Sequence, residues 1–370
     1  MEILISSLVL FTALLVSACS SATELKVEVS GVRSDSGKNS EGVVTTGTVP
    51  GKPAHHTTDG FRNLWGVPPS SSKGVAFYLR RVQHSVFTAT PPDGHALDEA
   101  TALAGFQGLA DDGLTWIGQA TFLIRLGGKT ILTDPYFSEF ASPLPWVGPR
   151  RVLPPGIPLG KLPPVDIIVV SHDHYDHLDD AAVRALPGKD RIQVVVPLGL
   201  KSFFVERGYG NVHELDWGHT LSVDGVTVSA LPSVHDSGRS LNSIDKTLWA
   251  SWRMEAGGRN LLFVGDSGFS KDLYGQIGND HGPFDYVFLP IGAYEPRELM
   301  WMSHMTPEEA VAAGRLLRAR TLIASHWGTI NLSDEDMWEP PKRFSRAANR
   351  GGFDSDHTWI LKVGESRAMR

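Results

Sequence analysis

The sequence "VDIIVVSHDHYDHLD", residues 165–179, places three histidines and three aspartates directly after a run of apolar residues. Four consecutive β-branched residues predict a short buried strand. Side chains two residues apart in an extended segment point the same way, so His172 and His174 can hold one cation. Asp176 and His177 follow on the next turn. They are close to the first pair but displaced from it, so they can hold a second cation. The spacing H-x-H-x-D-H therefore predicts a metal site at the end of a strand.

Three other apolar runs also end in a residue that can bind a metal. They are "VSALPSVH" at His235, "NLLFVGD" at Asp266 and "TLIASH" at His326. Each alone is compatible with a hydrogen-bonded structural residue. Four strand ends that deliver such residues to one sheet edge predict a shared site.

The whole series, from about residue 60 to the end, resembles the metallo-β-lactamase superfamily. The resemblance implies a four-layer αββα sandwich with two divalent metal ions at one edge of its sheets. It assigns His172, His174 and His235 to one metal, Asp176, His177 and His326 to the second, and Asp266 to both. This donor set suits Zn²⁺, and Fe or Mn also accept it. Zinc β-lactamases with a cysteine ligand are excluded, because the only cysteine is Cys19.

A closer likeness lies in "TDPYFS", "HYDHLD", "LPIGAYEPRELM", "HMTPEEAV" and "HWGT". These stretches resemble, in order, the phospholipases D that hydrolyse N-acylphosphatidylethanolamine. The resemblance is looser in "WGVPPSSSKGVAFYLRRVQHS". It implies a phospholipid substrate, cleaved between phosphorus and the head-group oxygen to give phosphatidic acid and an N-acylethanolamine. Asp176, Asp266 and His304 would be the catalytic residues.

Two metals would lower the pKa of a bridging water and neutralise charge on phosphoryl oxygens, so a metal-bridged hydroxide would attack a phosphodiester. The alternative enzyme is a lactonase or another small-molecule hydrolase of the same fold, similar to the L-ascorbate-6-phosphate lactonase. A third alternative is a binding protein with a vestigial metal site, although every ligand position is filled.

Four residues are candidates for supporting roles. Asp134, in "ILTDP", is predicted to orient a ligand histidine, or else to end its strand in an Asp-Pro turn. His304 is predicted to contact the phosphate or protonate the leaving alkoxide, or else to be a surface histidine. Tyr175 and Tyr294 are candidate substrate contacts, or else they bond locally.

Eight histidines lack ligand spacing and are interpreted as structural or exposed: His55, His56, His84, His95, His213, His219, His281 and His357. The loop "PLPWVGPRR" carries Trp146 beside Arg150 and Arg151. Tryptophan favours the membrane boundary and arginine binds phosphate, so this loop is either a lipid contact or a plain surface loop.

The N-terminus predicts export and anchoring. Residues 1–18 have the apolar run and small-residue ending of a signal peptide. Cys19, after "LVSA", resembles the bacterial lipobox, so the prediction is a lipoprotein held on the extracytoplasmic side of a bacterial membrane. Residues 19–58 are rich in Ser, Gly and Thr and predict a flexible tether, and 59–370 predict one catalytic domain.

A net charge of -7 without a long run of Lys or Arg argues against a nucleic-acid partner. Seven runs predict strands: "DIIVVSH", "IQVVVP", "VTVSALPSVH", "TLWASWRME", "NLLFVGD", "YVFLPIG" and "TLIASH". "TWIGQATFLIRLGGKTILTD" predicts two more around a Gly-Gly turn. A helix is predicted from Thr306, with Pro307 at its first position and Glu309 completing a capping box.

Overall fold

A computed structural model describes residues 49–66, 90–240 and 242–370. The predicted signal peptide, Cys19, most of the predicted tether and His84 lie outside the described residues. The described residues belong to one compact unit, Thr46–Arg370. His55 is only 4% exposed, so this unit begins before the boundary predicted at residue 59. In the described part of the chain, no helix is long and apolar enough to span a membrane.

In the part of the chain that the structure describes, fourteen strands form two seven-stranded sheets. The strands are β1 Gly113–Gly118, β2 Thr121–Leu126, β3 Lys129–Thr133, β4 Ile167–Val169, β5 Gln193–Pro197, β6 Asn211–Leu215, β7 Thr220–Val223, β8 Val226–Leu231, β9 Ser251–Ala256, β10 Arg259–Phe263, β11 Phe284–Pro290, β12 Ala319–Ser325, β13 Thr358–Trp359 and β14 Ser366–Ala368. The helices among the described residues are α1 Glu99–Gln107, α2 Asp180–Ala185, α3 Lys201–Val205, α4 Lys271–His281, α5 Arg297–Met300, α6 Pro307–Leu316 and α7 Pro340–Arg350.

The two sheets are built in the same way. The first has the order β14-β1-β2-β3-β4-β5-β6 and the second β13-β12-β11-β10-β9-β8-β7. In the first sheet the pairings from β14 to β3 are antiparallel and those from β3 to β6 are parallel. In the second, β7 to β10 pair antiparallel and β10 to β13 pair parallel.

Alternating side chains of the first sheet pack into two separate cores. In β4, Ile167 joins the large cluster shared with the second sheet, whereas Ile168 joins a smaller cluster with the outer helices. Phe106 of α1 and Phe204 of α3 belong to that smaller cluster. Both faces of the sheet are therefore buried, which explains the nearly continuous apolar runs in its strands. The predicted αββα sandwich is confirmed.

The predicted strands and helix are present, with one difference. "TWIGQATFLIRL" forms two strands, because the backbone turns at Gly118 and Gln119, both with positive φ. Helix α6 begins as predicted: Thr306 caps the backbone of Glu309, and the Glu309 side chain accepts from the Thr306 N–H.

Candidate metal centre

The ligand candidates lie just beyond the carboxyl ends of strands in both sheets. His172 follows β4, and Asp134 follows the neighbouring parallel strand β3. In the second sheet, His235 follows β8 and Asp266 follows β10, while His326 directly follows β12. The sequence-predicted ligands form two adjoining groups: His172, His174 and His235, and Asp176, His177, Asp266 and His326.

The three nitrogens of the first group converge on one point. Nε2 of His235 lies 3.1 Å from Nε2 of His172 and 3.3 Å from Nδ1 of His174, and the latter two nitrogens are 2.9 Å apart. The far nitrogens of two rings are already engaged: Nδ1 of His235 faces the Ser303 carbonyl at 3.0 Å, and Nδ1 of His172 faces the Ser171 hydroxyl at 2.9 Å.

These contacts fix where the ring protons lie. The Ser171 hydroxyl donates its hydrogen bond to Asp134. Its oxygen therefore acts as the acceptor for Nδ1 of His172. Since the Ser303 carbonyl also accepts, both Nδ1 atoms carry the proton and both Nε2 atoms present lone pairs. Two lone pairs 3.1 Å apart cannot share a hydrogen bond. A cation between them satisfies both.

Burial keeps these two imidazoles uncharged. It lowers the pKa of His172 well below its usual value, and the neighbouring His177 and His235 lower it further. Burial likewise lowers the pKa of His235. Neutral imidazole is the form that binds metals.

The second group combines two carboxylates with two imidazoles. One oxygen of Asp266, Oδ2, lies 3.1 Å from Nε2 of His177 and 3.0 Å from Nε2 of His326. Oδ2 of Asp176 lies 3.3 and 3.1 Å from the same nitrogens. Asp266 Oδ2 is also 4.0 Å from Nε2 of His235, so this carboxylate lies between the two groups.

The pKa values of the two histidines show that the carboxylates make this second group negative. Burial disfavours a charged ring, yet the carboxylates of Asp266 and Asp176 raise the pKa of His177 well above its ordinary value. Asp266 and Asp176 similarly raise the pKa of His326 to about 9, against the effect of burial. A positive charge is favoured here, and a divalent cation supplies it more directly than two protons do.

Asp134 holds one ligand in place. Its carboxylate is fully buried, and Oδ2 accepts from Nδ1 of His177 at 2.7 Å. Ser171 donates to the same carboxylate through its backbone N–H and its hydroxyl, each at 2.6 Å. The carboxylate therefore orients His177 directly and His172 through Ser171.

His304 lies beside the candidate metal ligands. Its Nδ1 is 3.7 Å from Asp266 Oδ2, and its ring stacks on His326 with centroids 5.3 Å apart. Burial lowers the pKa of His304 to about 3. The ring is thus neutral near neutral pH and carries one N–H beside the second ligand group, so both roles predicted for His304, phosphate contact and protonation of the alkoxide, stay predictions. The surface alternative is wrong, because the residue is 8% exposed.

The hydroxyls of Tyr175 and Tyr294 both donate hydrogen bonds to acceptors within the protein. The Tyr294 ring is fully buried and its hydroxyl donates to Glu339 at 2.7 Å, so a substrate contact by this residue is wrong. The Tyr175 hydroxyl donates to the Arg239 carbonyl at 3.0 Å, while its ring lines a surface cavity of about 430 Å³.

In the loop "PLPWVGPRR", two of the three residues predicted to contact lipid, Trp146 and Arg150, are exposed, and the contact itself stays a prediction. Trp146 is 68% exposed, and Arg150 is paired with Glu139. Arg151 is buried and donates to the Tyr136 carbonyl at 2.7 Å, so the predicted lipid role of this arginine is wrong.

Besides Ser171 and Ser303, three further residues that support the site were not predicted from the sequence. Gln119 donates to Asp176 at 3.0 Å from a backbone with φ of 54°. The Asn63 side chain accepts a hydrogen bond from the N–H of His235 and donates one to its carbonyl. A carboxylate oxygen of Asp236 lies 3.3 Å from Nε2 of His174. A carboxylate next to a ligand histidine was the one available signal, and it points to Asp236.

The residues present fit a divalent metal. Imidazole and carboxylate groups are ligands for Zn²⁺, Fe and Mn, and both clusters supply them from mostly buried side chains, with His174 partly exposed. Among the described residues, no group hydrogen-bonds Oδ1 of Asp266, although this oxygen is buried. A buried carboxylate oxygen without a donor is costly unless a cation satisfies it.

Two packed sheets with His and Asp clusters at their strand ends define a metal-dependent hydrolase of the metallo-β-lactamase fold. A sequence model of the beta-lactamase superfamily domain matches residues 129–327, more than half of the chain. The chain belongs to this superfamily and lies close to the phospholipases D that hydrolyse N-acylphosphatidylethanolamine.

Two curated relatives carry that name. The N-acyl-phosphatidylethanolamine-hydrolyzing phospholipase D 1 of Caenorhabditis elegans is 37% identical over 295 residues, 75% of this chain and 82% of the relative. The mitochondrial enzyme of Saccharomyces cerevisiae is 37% identical over 261 residues, 69% of this chain and 55% of the relative. This chain thus spans about half the length of the yeast protein.

A solved structure shares the fold. A metallo hydrolase of the hyperthermophilic archaeon Ignicoccus hospitalis superposes with a TM-score of 0.52 at 20% sequence identity. The match covers 69% of this chain and 97% of that chain.

Proposed function

We propose that the protein is a phospholipase D-type phosphodiesterase with two metal ions, most favourably Zn²⁺. Its proposed substrate is N-acylphosphatidylethanolamine or a related phospholipid, and its products are phosphatidic acid and N-acylethanolamine. The observation that carries the proposal is the pair of adjoining ligand groups with Asp266 between them. The names of the two similar relatives support the choice of substrate.

When bound, two divalent cations supply Lewis acidity that neutralises phosphoryl oxygens and lowers the pKa of a coordinated water. In the proposed reaction, a water oxygen forms a new bond to phosphorus. The bond from phosphorus to the head-group oxygen breaks, and that oxygen leaves with a proton as the alcohol of N-acylethanolamine. The lipid phosphate remains as phosphatidic acid.

The protein's own groups hold protons and orient ligands. Asp134 keeps the Nδ1 proton of His177 in place, and the Ser303 carbonyl does the same for His235. His304 is neutral and adjoins Asp266, so its ring N–H is available to a phosphoryl oxygen. Arg297 of "PIGAYEPR" donates to the His304 carbonyl at 2.7 Å and thereby fixes its position.

The direct test is an assay with N-acylphosphatidylethanolamine in mixed micelles and water enriched in ¹⁸O. The expected products are unlabelled N-acylethanolamine and phosphatidic acid that carries the label on its phosphate. Label in the N-acylethanolamine would mean cleavage of the carbon–oxygen bond and contradict the mechanism.

Asp266→Asn is the matched variant, because the amide keeps the shape of the carboxylate and removes its charge. Turnover is expected to fall by orders of magnitude while the circular dichroism spectrum stays that of the wild type. The lactonase alternative is favoured if the wild type releases no N-acylethanolamine and opens a lactone in the same metal-loaded preparation.

We further propose that Cys19 carries lipid and holds the protein on the extracytoplasmic side of the bacterial cell envelope. The single cysteine after "LVSA" supports this placement. Labelling of cells with a palmitate analogue should mark the wild type and leave Cys19→Ala unlabelled. A labelled Cys19→Ala variant, or an unlabelled wild type, would rule out the anchor.

A further inference from the structure

A third group of potential ligands lies outside the catalytic centre. Nε2 of His55 is 2.6 Å from Oδ1 of Asp216, and Nε2 of His56 is 2.7 Å from Oδ2 of the same carboxylate. The histidines are neighbours in the segment that precedes Asn63, and Asp216 directly follows β6. Two distant parts of the chain therefore converge through three side chains.

The aromatic surroundings hold both rings in place. His55 stacks on Trp217 with ring centroids 4.2 Å apart and an interplanar angle of 29°. His56 meets Phe61 edge-on at 5.1 Å. The carboxylate is anchored as well, because its Oδ1 accepts from the Trp217 backbone N–H at 2.8 Å. His55 is 4% exposed and Asp216 is 7% exposed, so the group is largely shielded from solvent.

The catalytic centre supplies a geometric comparison within the same chain. The ring centroids of His55 and His56 are 4.6 Å apart, the same separation as those of His172 and His174. The ligand atoms of His55, His56 and Asp216 all lie within 4.8 Å of one another, as they do in both catalytic groups. One ion can thus reach all three side chains.

The charge state also suits a metal. Burial lowers the pKa of His55, although Asp216 acts in the opposite direction, so the ring is neutral. Burial favours protonation of Asp216, but hydrogen bonds from His55 and His56 lower its pKa, so it is a carboxylate. A neutral imidazole frees Nε2 when its proton moves to Nδ1, and no net proton need leave.

We propose that His55, His56 and Asp216 bind a divalent transition metal of the Zn²⁺ class at a third, non-catalytic site. Two imidazoles and one carboxylate form an accepted zinc donor set, with water in the remaining position. The metal fastens the segment before Asn63 to the end of β6. The Asn63 side chain hydrogen-bonds both the N–H and the carbonyl of His235. A metal that holds this segment in place therefore also helps to position His235 in the catalytic centre.

The test compares metal content in the full-length protein. In the variant His55→Gln/His56→Gln, the amide groups still donate to Asp216 but bind transition metals poorly. After zinc loading and gel filtration, elemental analysis is expected to find one zinc ion fewer per chain than in the wild type. Equal zinc content in the folded variant and the wild type would overturn the proposal. This difference does not depend on the substrate or on catalytic activity.

The matched control is His357→Asn. His357 also bonds an aspartate, through Nδ1 to Asp354 at 2.7 Å, but it has no second histidine beside it in the described structure. The asparagine amide replaces the Nδ1 donor. Zinc content is expected to equal that of the wild type, which shows that loss of a His–Asp contact alone does not change the count.

A measurement on the wild type guards against a variant that does not fold. Co²⁺ at the third site would quench Trp217, because this indole stacks on His55. Titration of the metal-stripped protein should show a component of fluorescence quenching that is absent in Trp217→Phe. Identical fractional quenching in the two proteins would overturn the proposal.

Discussion

Each ligand histidine with a defined tautomer has its far nitrogen held by a neighbouring acceptor. Asp134 holds His177, the Ser303 carbonyl holds His235, and Ser171 holds His172. These contacts decide which nitrogen faces the candidate metal site. Metal affinity at the residue scale therefore depends on groups that do not touch the metal.

Asp134→Asn tests this dependence. The amide cannot accept from Nδ1 of His177 and from Ser171 as the carboxylate does, so we expect metal affinity to fall by about 10- to 100-fold. Competition with a fluorescent zinc chelator measures the change. Asp112→Asn is the control and should leave affinity unchanged, because Asp112 accepts from Gly127 and Arg259 at the ends of β3 and β10 opposite to the metal centre. Wild-type affinity in Asp134→Asn would show that this carboxylate does not support the ligand.

His304 offers a second prediction at this scale. In the proposed reaction, His304→Ala removes an N–H donor to a charged phosphate, worth about 1.5–3 kcal/mol, so kcat/KM should fall by about 10- to 100-fold. His304→Gln keeps a donor and should recover part of that loss. Because the pKa of His304 is about 3, the pH profile above about pH 5 should keep its shape in His304→Gln. Loss of a basic limb from that profile would assign an acid role to the imidazole.

The strands that precede the candidate ligands were largely predictable from the sequence. An apolar run predicts the strand, and a His or Asp at its end predicts which end of the strand faces the site. The separate strand β1 was missed, since its turn depends on positive φ at Gly118 and Gln119 in a buried segment. Gln119 was missed for the same reason: its contact with Asp176 arises from that turn. The distant Asn63 is brought to His235 by tertiary packing alone.

Close approach of β11 and β12 at their ends gives a prediction at the scale of the element. A Cβ added to Gly292, just after β11, would lie 2.3 Å from the His326 carbonyl oxygen. Gly292→Ala must therefore displace the loop or this ligand. Displacement by about 1 Å lowers activity by about 100-fold, which we expect for kcat/KM.

Gly275→Ala in α4 is the matched control for Gly292→Ala. A Cβ at Gly275 meets no atom within 4 Å, and alanine favours the helix by up to about 1 kcal/mol. This variant should keep wild-type activity with equal or higher thermal stability. Wild-type kcat/KM in Gly292→Ala would mean that the ends of β11 and β12 do not constrain His326.

At the scale of the whole molecule, both sheets contribute imidazole and carboxylate groups to one centre. His172 and His177 come from the first sheet, whereas Asp266 and His326 come from the second. A cation bound between them binds the folded chain and not the unfolded one, so it stabilises the sandwich by mass action. When the free metal concentration is about 1,000 times the Kd of the site, binding adds about 4 kcal/mol to the free energy of unfolding. Chelation should lower the Tm, and Zn²⁺ should restore it.

The pH dependence of the chelated protein follows from His326. Its pKa is about 9 in the metal-free fold and 6.5 in the unfolded chain, so protonation stabilises the fold. This stabilisation is complete below about pH 6.5 and is lost as the pH rises through about 9, so the Tm of the chelated protein should fall across that window. His177, whose pKa is also raised, acts in the same direction. Scanning calorimetry at several pH values measures the effect.

Metal loading should flatten this dependence, because a cation takes the place of the imidazole protons. The third proposed site does not produce the same window, since burial lowers the pKa of His55. His326→Gln in the chelated state should therefore show a smaller fall in Tm between about pH 6.5 and 9 than the chelated wild type. If the chelated wild type keeps a constant Tm over that range, the carboxylates of Asp176 and Asp266 do not retain protons on the rings. The two sheets would then be held together at this edge without the charge balance inferred for the metal-free fold.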